Sequence, residues 1–191
     1  GAFVLTVVTG FKDGGEVKEE ERETEKGTDK GELPVSAGMK RRNVSAPVKG
    51  EIVELTNVPD KTFSDRILGD GVAILPEEGR VYAPFDGQIT CLTDTKHAVA
   101  LTSDDGLEVL IHVGLETVEL QGKYFTAYVE NGAKVKKGDL LLEFDLDAVR
   151  QAGYSVVTPV VVTNAGDYVS ILPMLKEKEH VLNGDQLLTV L

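Results

Sequence analysis

The sequence predicts an all-β domain, a duplicated antiparallel β-sandwich or barrel with short helical turns. Two observations lead to this prediction. From residue 46 onward, short apolar alternations are separated by Gly, Pro or Asp about every eight to twelve residues, a spacing typical of sandwiches and barrels. Two motifs also recur within the chain: residues 46–55 reappear as 83–92, and residues 135–141 reappear as 181–187.

Each repeated motif is expected to be a turn followed by a strand. The copies at 46–55 and 83–92 share Ala, Pro, Gly, Ile and Leu at matching positions. Pro restricts φ and Gly permits the corner, and the alternating apolar residues then form the strand. Helical periodicity is weak elsewhere, so we expect only short helical turns, over 62–68 and 147–152.

The first 44 residues differ in character from the rest of the chain. Residues 12–42 hold nine acidic and eight basic residues and no aromatic one, which is too little buriable surface to offset the entropy of ordering. We therefore expect a disordered linker over 12–44 and a folded body over 45–191. Residues 1–11 carry no charge. They are either a strand or the end of a transmembrane helix, although they are too short to span a bilayer alone.

The overall composition limits the classes of function. The chain has 191 residues, of which 20 are basic and 32 acidic, for a net charge of −12. A surface of that sign repels nucleic acids and anionic membranes. The single cysteine, Cys91, excludes an internal disulfide framework and fits a reducing compartment.

Two of the three histidines, His97 and His112, lie in one predicted hairpin. Apolar strands flank a Ser-Asp-Asp-Gly turn at 103–106, which is a strong hairpin signal. If the residues on either side of this turn pair with each other, His97 faces His112 directly, with Cβ atoms about 4.5–5.5 Å apart. A bulge at Gly106 would shift that register by one residue. His180 lies in a charged run and is expected at the surface.

Facing imidazoles suit either a bound metal or the transfer of a phosphoryl group. A zinc site needs a third protein ligand, and the chain offers His112-x-x-x-Glu116 without any His-x-His or His-Glu-x-x-His motif. A zinc-dependent hydrolase or metal-binding module on a related duplicated sandwich therefore stays an alternative, and we assign no metal ligand and no cofactor. The repeats also resemble lipoyl and biotinyl carrier domains, but the only Met-Lys pair, at 39–40, lies in the predicted linker.

Around these histidines the sequence resembles the glucose-family enzyme IIA domain of the bacterial sugar phosphotransferase system. The resemblance covers residues 45–191, and it implies a fold of the barrel-sandwich hybrid type. Many matches occur in the same order along the chain, so the resemblance is specific. The matching runs are 46–50, 58–60 with Phe63, 69–74, 83–87, 106–122, 143–146 and 158–161.

This resemblance implies a phosphoryl carrier. Members of the family take a phosphoryl group from a phosphohistidine of the small carrier HPr and give it to a cysteine of a IIB domain, which phosphorylates the incoming sugar. By position, His112 is the phosphorylated residue through Nε2, and His97 binds the phosphate. Thr95 orients His97, and the backbone carbonyl of Gly114 fixes the tautomer of His112. Glu116 supports the site from a position where Asp is common.

The resemblance also implies partners and location. Phe63, Leu110 and Val118 are expected to form the face that docks partner proteins, with Leu110 at a position where relatives carry Phe. Residues 1–11 are expected to be the end of a IIC membrane domain in a longer permease chain. The folded domain then lies on the cytoplasmic side of the bacterial cell membrane, with HPr as donor and IIB as acceptor.

Overall fold

The computed structural model describes residues 40–191, which form antiparallel sheets and a few short helices. The α-helices are α1 (Lys61–Ser64) and α2 (Leu146–Gln151), and 3-10 turns cover Leu55–Asn57, Thr117–Leu120 and Ala165–Asp167. The strands are β1 (Arg42–Ser45), β2 (Gly50–Glu54), β3 (Asp70–Pro76), β4 (Arg80–Tyr82), β5 (Gly87–Leu92), β6 (Ala98–Ser103), β7 (Glu108–His112), β8 (Phe125–Ala127), β9 (Lys134–Val135), β10 (Leu140–Phe144), β11 (Thr158–Val162), β12 (Ile171–Pro173), β13 (His180–Val181) and β14 (Gln186–Val190).

The sheets pack as a sandwich and do not close into a barrel. One sheet has the strand order β13-β2-β3-β11-β7-β6-β5-β9, and the two smaller sheets have the orders β1-β14-β12 and β4-β10-β8. Every sheet therefore ends in two different edge strands. The prediction of an all-β fold is confirmed. Of the two architectures that the sequence left open, the sandwich is correct and the barrel is not.

The sequence repeats correspond to a structural pairing. The N–H of Ala46 donates to a carbonyl of the 184–185 Gly-Asp turn at 2.7 Å, and the carbonyl of Ala46 accepts from that turn at 3.0 Å. Ala83 makes the same two bonds with the 138–139 Gly-Asp turn, at 2.8 and 2.9 Å. Each Ala-Pro motif is thus hydrogen-bonded to one Gly-Asp turn. Because the two motifs pair in the fold, both are duplicated together.

The repeated glycines Gly50 and Gly87 lie where two strands approach closely. A Cβ atom on Gly50 would stand 2.1 Å from the carbonyl oxygen of Leu75, and one on Gly87 would stand 2.3 Å from that of Thr102. Any side chain would push the neighbouring strand away. These positions need glycine because of space rather than because of an unusual φ.

Two groups of buried apolar side chains hold the sheets together. The larger one fills the interior between the sheets. The smaller one includes Phe63 of α1 and packs against β3 and β11 close to the end of β7. Its buried members are Leu55, Val58, Phe63, Ala73, Leu115 and Val161. This smaller group supports the surface on which His112 lies.

The folded body begins earlier than the sequence predicts. Arg42 opens β1, which pairs with β14, and Val44 is fully buried. The expected boundary between 44 and 45 is therefore about three residues too late. The predicted apolar segment 1–11 and most of the predicted linker lie outside the described residues. Within residues 40–191, no helix has the length and hydropathy needed to cross a bilayer.

The hairpin that carries the histidines has a different register from the predicted one. Ala98, not His97, lies opposite His112. The reason is a three-residue loop at 104–106: the N–H of Ser103 donates to the carbonyl of Leu107 at 2.9 Å. Gly106 closes the loop with a φ of +88°, the left-handed conformation of a bulged three-residue hairpin. The direct pairing of the two histidines is therefore wrong by one residue.

Candidate functional site

His112 ends β7 with its ring in contact with two other rings. The centroid of the His97 ring lies 4.8 Å away at an interplanar angle of 79°, and that of Phe63 lies 5.2 Å away at 59°. His97 reaches this place because it follows a turn in which Lys96 has a φ of +57°, outside the regular strand. The predicted proximity of the two imidazoles is therefore present, although strand register does not create it.

The backbone around Gly114 fixes the tautomer of His112. Nδ1 of His112 lies 2.8 Å from the carbonyl oxygen of Gly114. A carbonyl only accepts, so the ring proton is on Nδ1 and the lone pair is on Nε2. Gly114 has a φ of +75°, and a Cβ atom there would stand 2.6 Å from the carbonyl oxygen of Ser155. Only glycine presents its carbonyl in this way.

A hydroxyl group fixes the second imidazole. Oγ1 of Thr95 lies 2.6 Å from Nδ1 of His97, whose side chain is buried with 6% of its surface exposed. When the hydroxyl donates to Nδ1, the proton of the neutral His97 ring is on Nε2. That N–H group is then a donor beside the ring of His112. The two rings thus have opposite tautomers.

Both imidazoles are neutral near pH 7. Burial lowers the pKa of His97 to about 4, with a smaller contribution from the neighbouring His112. Burial also lowers the pKa of His112, although the bond to Gly114 and the carboxylate of Asp60 oppose that shift. A neutral His112 has a free lone pair, so the site can present a nucleophilic nitrogen at neutral pH.

The family of the chain follows from comparison with known proteins. Residues 42–168 match the family model described as phosphoenolpyruvate-dependent sugar phosphotransferase system, EIIA 1. The chain belongs to this family. It is an EIIA component of a sugar phosphotransferase system, with the phosphoryl-carrier role of such components.

Two known proteins are similar to this EIIA domain in sequence or in structure. It is 46% identical over 148 residues to the PTS system beta-glucoside-specific EIIBCA component of Halalkalibacterium halodurans, and the match covers 78% of this chain. The chain spans 23% of the length of that relative. The solved structure of glucose permease IIA from Mycoplasma capricolum is similar with a TM-score of 0.72 and 34% identity, covering 79% of this chain and 96% of that one.

The side chains predicted to dock partners have different environments in the EIIA domain. Phe63 is only 3% exposed, so little of its ring reaches the surface, and its docking role stays a prediction. Its ring packs beneath His112, because α1 directs it into the smaller apolar group. Leu110 is half-buried, and Val118 is 47% exposed. These two remain available to a partner.

Glu116 lies on the rim of an open groove next to the site. It has a left-handed backbone with a φ of +57° and precedes the Thr117–Leu120 turn. The groove is also lined by Asp60, Thr62 and Ser155. The backbone N–H of Thr62 donates to the carboxylate of Asp60 at 2.8 Å, at the start of α1.

Sequence reasoning missed two residues at this site. Asp60 caps α1, and its carboxylate opposes the lowering of the pKa of His112 by burial. An Asp that follows a Pro and precedes a short helical run is an N-cap signal, so it could have been found. Thr93 lies beside His97 as well, with 3.4 Å between its Oγ1 and Nδ1 of His97. No motif marks it.

The alternative of a zinc-dependent hydrolase lacks a ligand set in the part of the chain that the structure describes. No group of three or more His, Cys, Asp or Glu side chains there is arranged to hold a metal ion. The two histidines of the site have no third ligand beside them, and a catalytic zinc site uses three.

Proposed function

We propose that this EIIA domain carries the phosphoryl group on Nε2 of His112. The group arrives from a phosphohistidine of HPr and leaves to a cysteine of a IIB domain. The bond between Nδ1 of His112 and the Gly114 carbonyl, 2.8 Å long, carries the proposal. It places the ring proton away from Nε2, so that Nε2 can attack phosphorus without first losing a proton.

The two transfers are simple exchanges at phosphorus. In the first, a bond forms between Nε2 of His112 and phosphorus while the nitrogen–phosphorus bond of the donor breaks, and the donor imidazole keeps the bonding electrons. In the second, a thiolate of IIB attacks the phosphorus and the electrons return to Nε2. Such reactions depend on positioning and on stabilising charge over the phosphoryl oxygens. The N–H of His97 at Nε2 is the donor suited to that task.

The same surface serves both partners in turn. Leu110, on β7 two residues before His112, and the exposed Val118 offer apolar contact, and the ring of Phe63 contacts that of His112. HPr and IIB must each bring a reacting atom to Nε2 of His112. Their docking faces therefore overlap on this domain, and they bind one after the other.

We also infer that the domain works within a permease. The relative from Halalkalibacterium halodurans is an EIIBCA component, a name that places IIB and IIC domains in the same chain. We propose IIB and IIC as partners of this domain and the cytoplasmic side of the cell membrane as its location. In this arrangement residues 1–11 end the IIC domain and the segment up to residue 41 connects it to the body.

Labelling with phosphoenolpyruvate, enzyme I and HPr tests the proposal. We expect wild-type protein to gain an acid-labile phosphate and His112→Ala to gain none. His180→Ala is the matched control, because His180 is exposed on β13, and it should label like wild type. Circular dichroism establishes that each variant is folded. Labelling of folded His112→Ala, or none of the wild type, would contradict the proposal.

A further inference from the structure

Thr93 closes the turn that presents His97. Its backbone N–H donates to the carbonyl of Ala98 at 3.1 Å, and its own carbonyl accepts from the N–H of Lys96 at 2.8 Å. Because Lys96 occupies that carbonyl, the N–H of Ala98 donates to the Thr93 hydroxyl instead, at 3.2 Å. The Thr93 hydroxyl thus accepts the hydrogen bond that the backbone carbonyl of Thr93 would otherwise accept from Ala98. This bond joins the end of β5 to the start of β6.

The turn needs such support because its backbone is strained. Lys96 has a φ of +57°, a left-handed conformation that is unfavourable for a residue with a Cβ atom. His97 follows directly, and its carbonyl accepts from the N–H of Val113 at 2.7 Å. The backbone of His97 is therefore held by β7 on one side and by the Thr93–Ala98 contacts on the other.

The same hydroxyl also bears on the tautomer of His97. The Thr93 hydroxyl has one proton, and it donates that proton to the carbonyl of Ala98 at 3.2 Å. Its oxygen stands 3.4 Å from Nδ1 of His97, whereas Thr95 Oγ1 stands at 2.6 Å. Thr95 is therefore the nearer partner of Nδ1 and the Thr93 hydroxyl does not compete with it; when Thr95 donates to Nδ1, the proton of His97 is on Nε2.

We propose that Thr93 is a positioning residue for phosphoryl transfer, acting through the orientation and tautomer of His97. This inference rests on the proposed function of His112 and His97. Thr93 itself touches neither the phosphoryl group nor the attacking atom. Its hydroxyl holds the loop from residue 93 to residue 98, and the loop holds the imidazole.

Three variants test this role. Thr93→Val keeps the shape of the side chain and removes its hydroxyl, whereas Thr93→Ser keeps a hydroxyl. Thr90→Val is the matched control, because it also replaces Thr by Val but at an exposed position of β5. We expect Thr93→Val to accept phosphate from HPr but to pass it to IIB about tenfold more slowly, as when one positioning hydrogen bond is lost. Thr93→Ser and Thr90→Val should transfer at rates close to wild type.

Nitrogen-15 NMR of the imidazoles gives a second readout that needs no phosphate. Wild type should show the His97 proton on Nε2, and Thr93→Val should show both tautomers. Wild-type transfer rates and an unchanged His97 tautomer in Thr93→Val would overturn the inference. So would a His97 proton on Nδ1 in wild type, even if Thr93→Val does not fold. Failure of wild type to label would instead contradict the proposed function, and the NMR result would still decide on Thr93.

Discussion

At the scale of single residues, the two imidazoles of the site are held by different kinds of partner. A backbone carbonyl fixes His112 through Gly114, and a side-chain hydroxyl fixes His97 through Thr95. A Cβ atom on Gly114 would stand 2.6 Å from the carbonyl oxygen of Ser155, so this position needs glycine. The two rings therefore differ in role: one presents a lone pair and the other presents a proton.

Replacing His97 separates these roles. We expect His97→Gln to accept phosphate from HPr, because Nε2 of His112 is still a free nucleophile. Transfer to IIB should be slower by orders of magnitude, since the glutamine amide places its N–H group elsewhere and a donor missing at a developing charge raises a barrier by about 2.7–4 kcal/mol. Single-turnover labelling followed by a chase with IIB measures both steps. A normal chase rate would show that His97 does not stabilise the phosphoryl group.

The buried ring of His97 also makes stability depend on pH. Its pKa is about 4 in the folded protein, against an ordinary value of 6.5. Below pH 6.5 the unfolded chain binds a proton that the folded protein does not, so the stabilisation present above pH 6.5 is lost as the pH falls towards 4.

We expect this residue to account for roughly 2–3 kcal/mol of the loss in unfolding free energy between pH 7 and pH 4. His97→Gln should therefore lose less stability over that interval than wild type, as measured by urea denaturation. Carboxylates and His112 titrate in both proteins, so the comparison isolates His97. Equal losses in the two proteins would show that the pKa of His97 is not lowered by burial.

The sequence predicted the proximity of His97 and His112 for an incomplete reason. It indicated the hairpin, but Asp-Gly is compatible with loops of two or three residues, and only the folded chain selects the bulge at Gly106. The burial of Phe63 was equally hidden, because a four-residue helix has no periodicity from which a buried face can be read. Its contact with His112 depends on tertiary packing.

At the scale of elements, close contact between strands explains the repeated glycines better than turn conformation does. Gly87 follows the Ala83-Pro84 corner at the start of β5 and lies against β6. Gly106 lies in the tip of the β6–β7 hairpin, where a Cβ atom would meet nothing within 4 Å. The two glycines are thus required for separate reasons, one steric and one conformational.

Alanine at each position should reveal the difference. Gly87→Ala forces β5 and β6 apart and should lower the unfolding free energy by about 3 kcal/mol. Gly106→Ala forces an alanine into the left-handed backbone conformation without a steric clash, and it should lower the unfolding free energy by only about 1–2 kcal/mol. Chemical denaturation of both variants gives the comparison. A larger loss for Gly106→Ala than for Gly87→Ala would contradict this assignment.

Elements with a clear pattern were predictable, and those without one were not. The strands of the repeats were predicted from alternation and turn residues, and the short helices near 62 and 147 from the little helical periodicity that the chain has. The three 3-10 turns were missed because such short segments carry no period. Residues 42–44 were assigned to the linker, yet the pairing of β1 with β14 buries Val44. Long-range pairing of that kind has no local signal.

At the scale of the whole molecule, the N-terminal edge of the body is defined by β1 and by contacts near it. Arg42 and Lys40 each place a nitrogen 2.9 Å from Oδ2 of Asp105 at the tip of the β6–β7 hairpin. His112 ends β7 and therefore lies at the other end of this hairpin. Lys40 therefore lies at the end of the hairpin away from His112.

Two truncations test this boundary. Removal of residues 1–39 should leave the melting temperature nearly unchanged, because residues 12–39 provide little apolar surface to bury and residues 1–11 are proposed to belong to another domain. Removal of residues 1–45 also deletes β1 with its buried Val44 and should lower the melting temperature by about 5 °C or more. Differential scanning calorimetry measures both. A large decrease for the first truncation, or none for the second, would show that the body does not begin at β1.

The central claim is that Nε2 of His112 holds the phosphoryl group, and NMR of the phosphorylated protein tests it most directly. The protein is labelled with nitrogen-15 in its histidines, phosphorylated through enzyme I and HPr, and examined for coupling between phosphorus and each imidazole nitrogen. The account predicts coupling to Nε2 of His112 and a proton retained on its Nδ1. Phosphorus coupled to Nδ1 of His112, or to either nitrogen of His97, would contradict it.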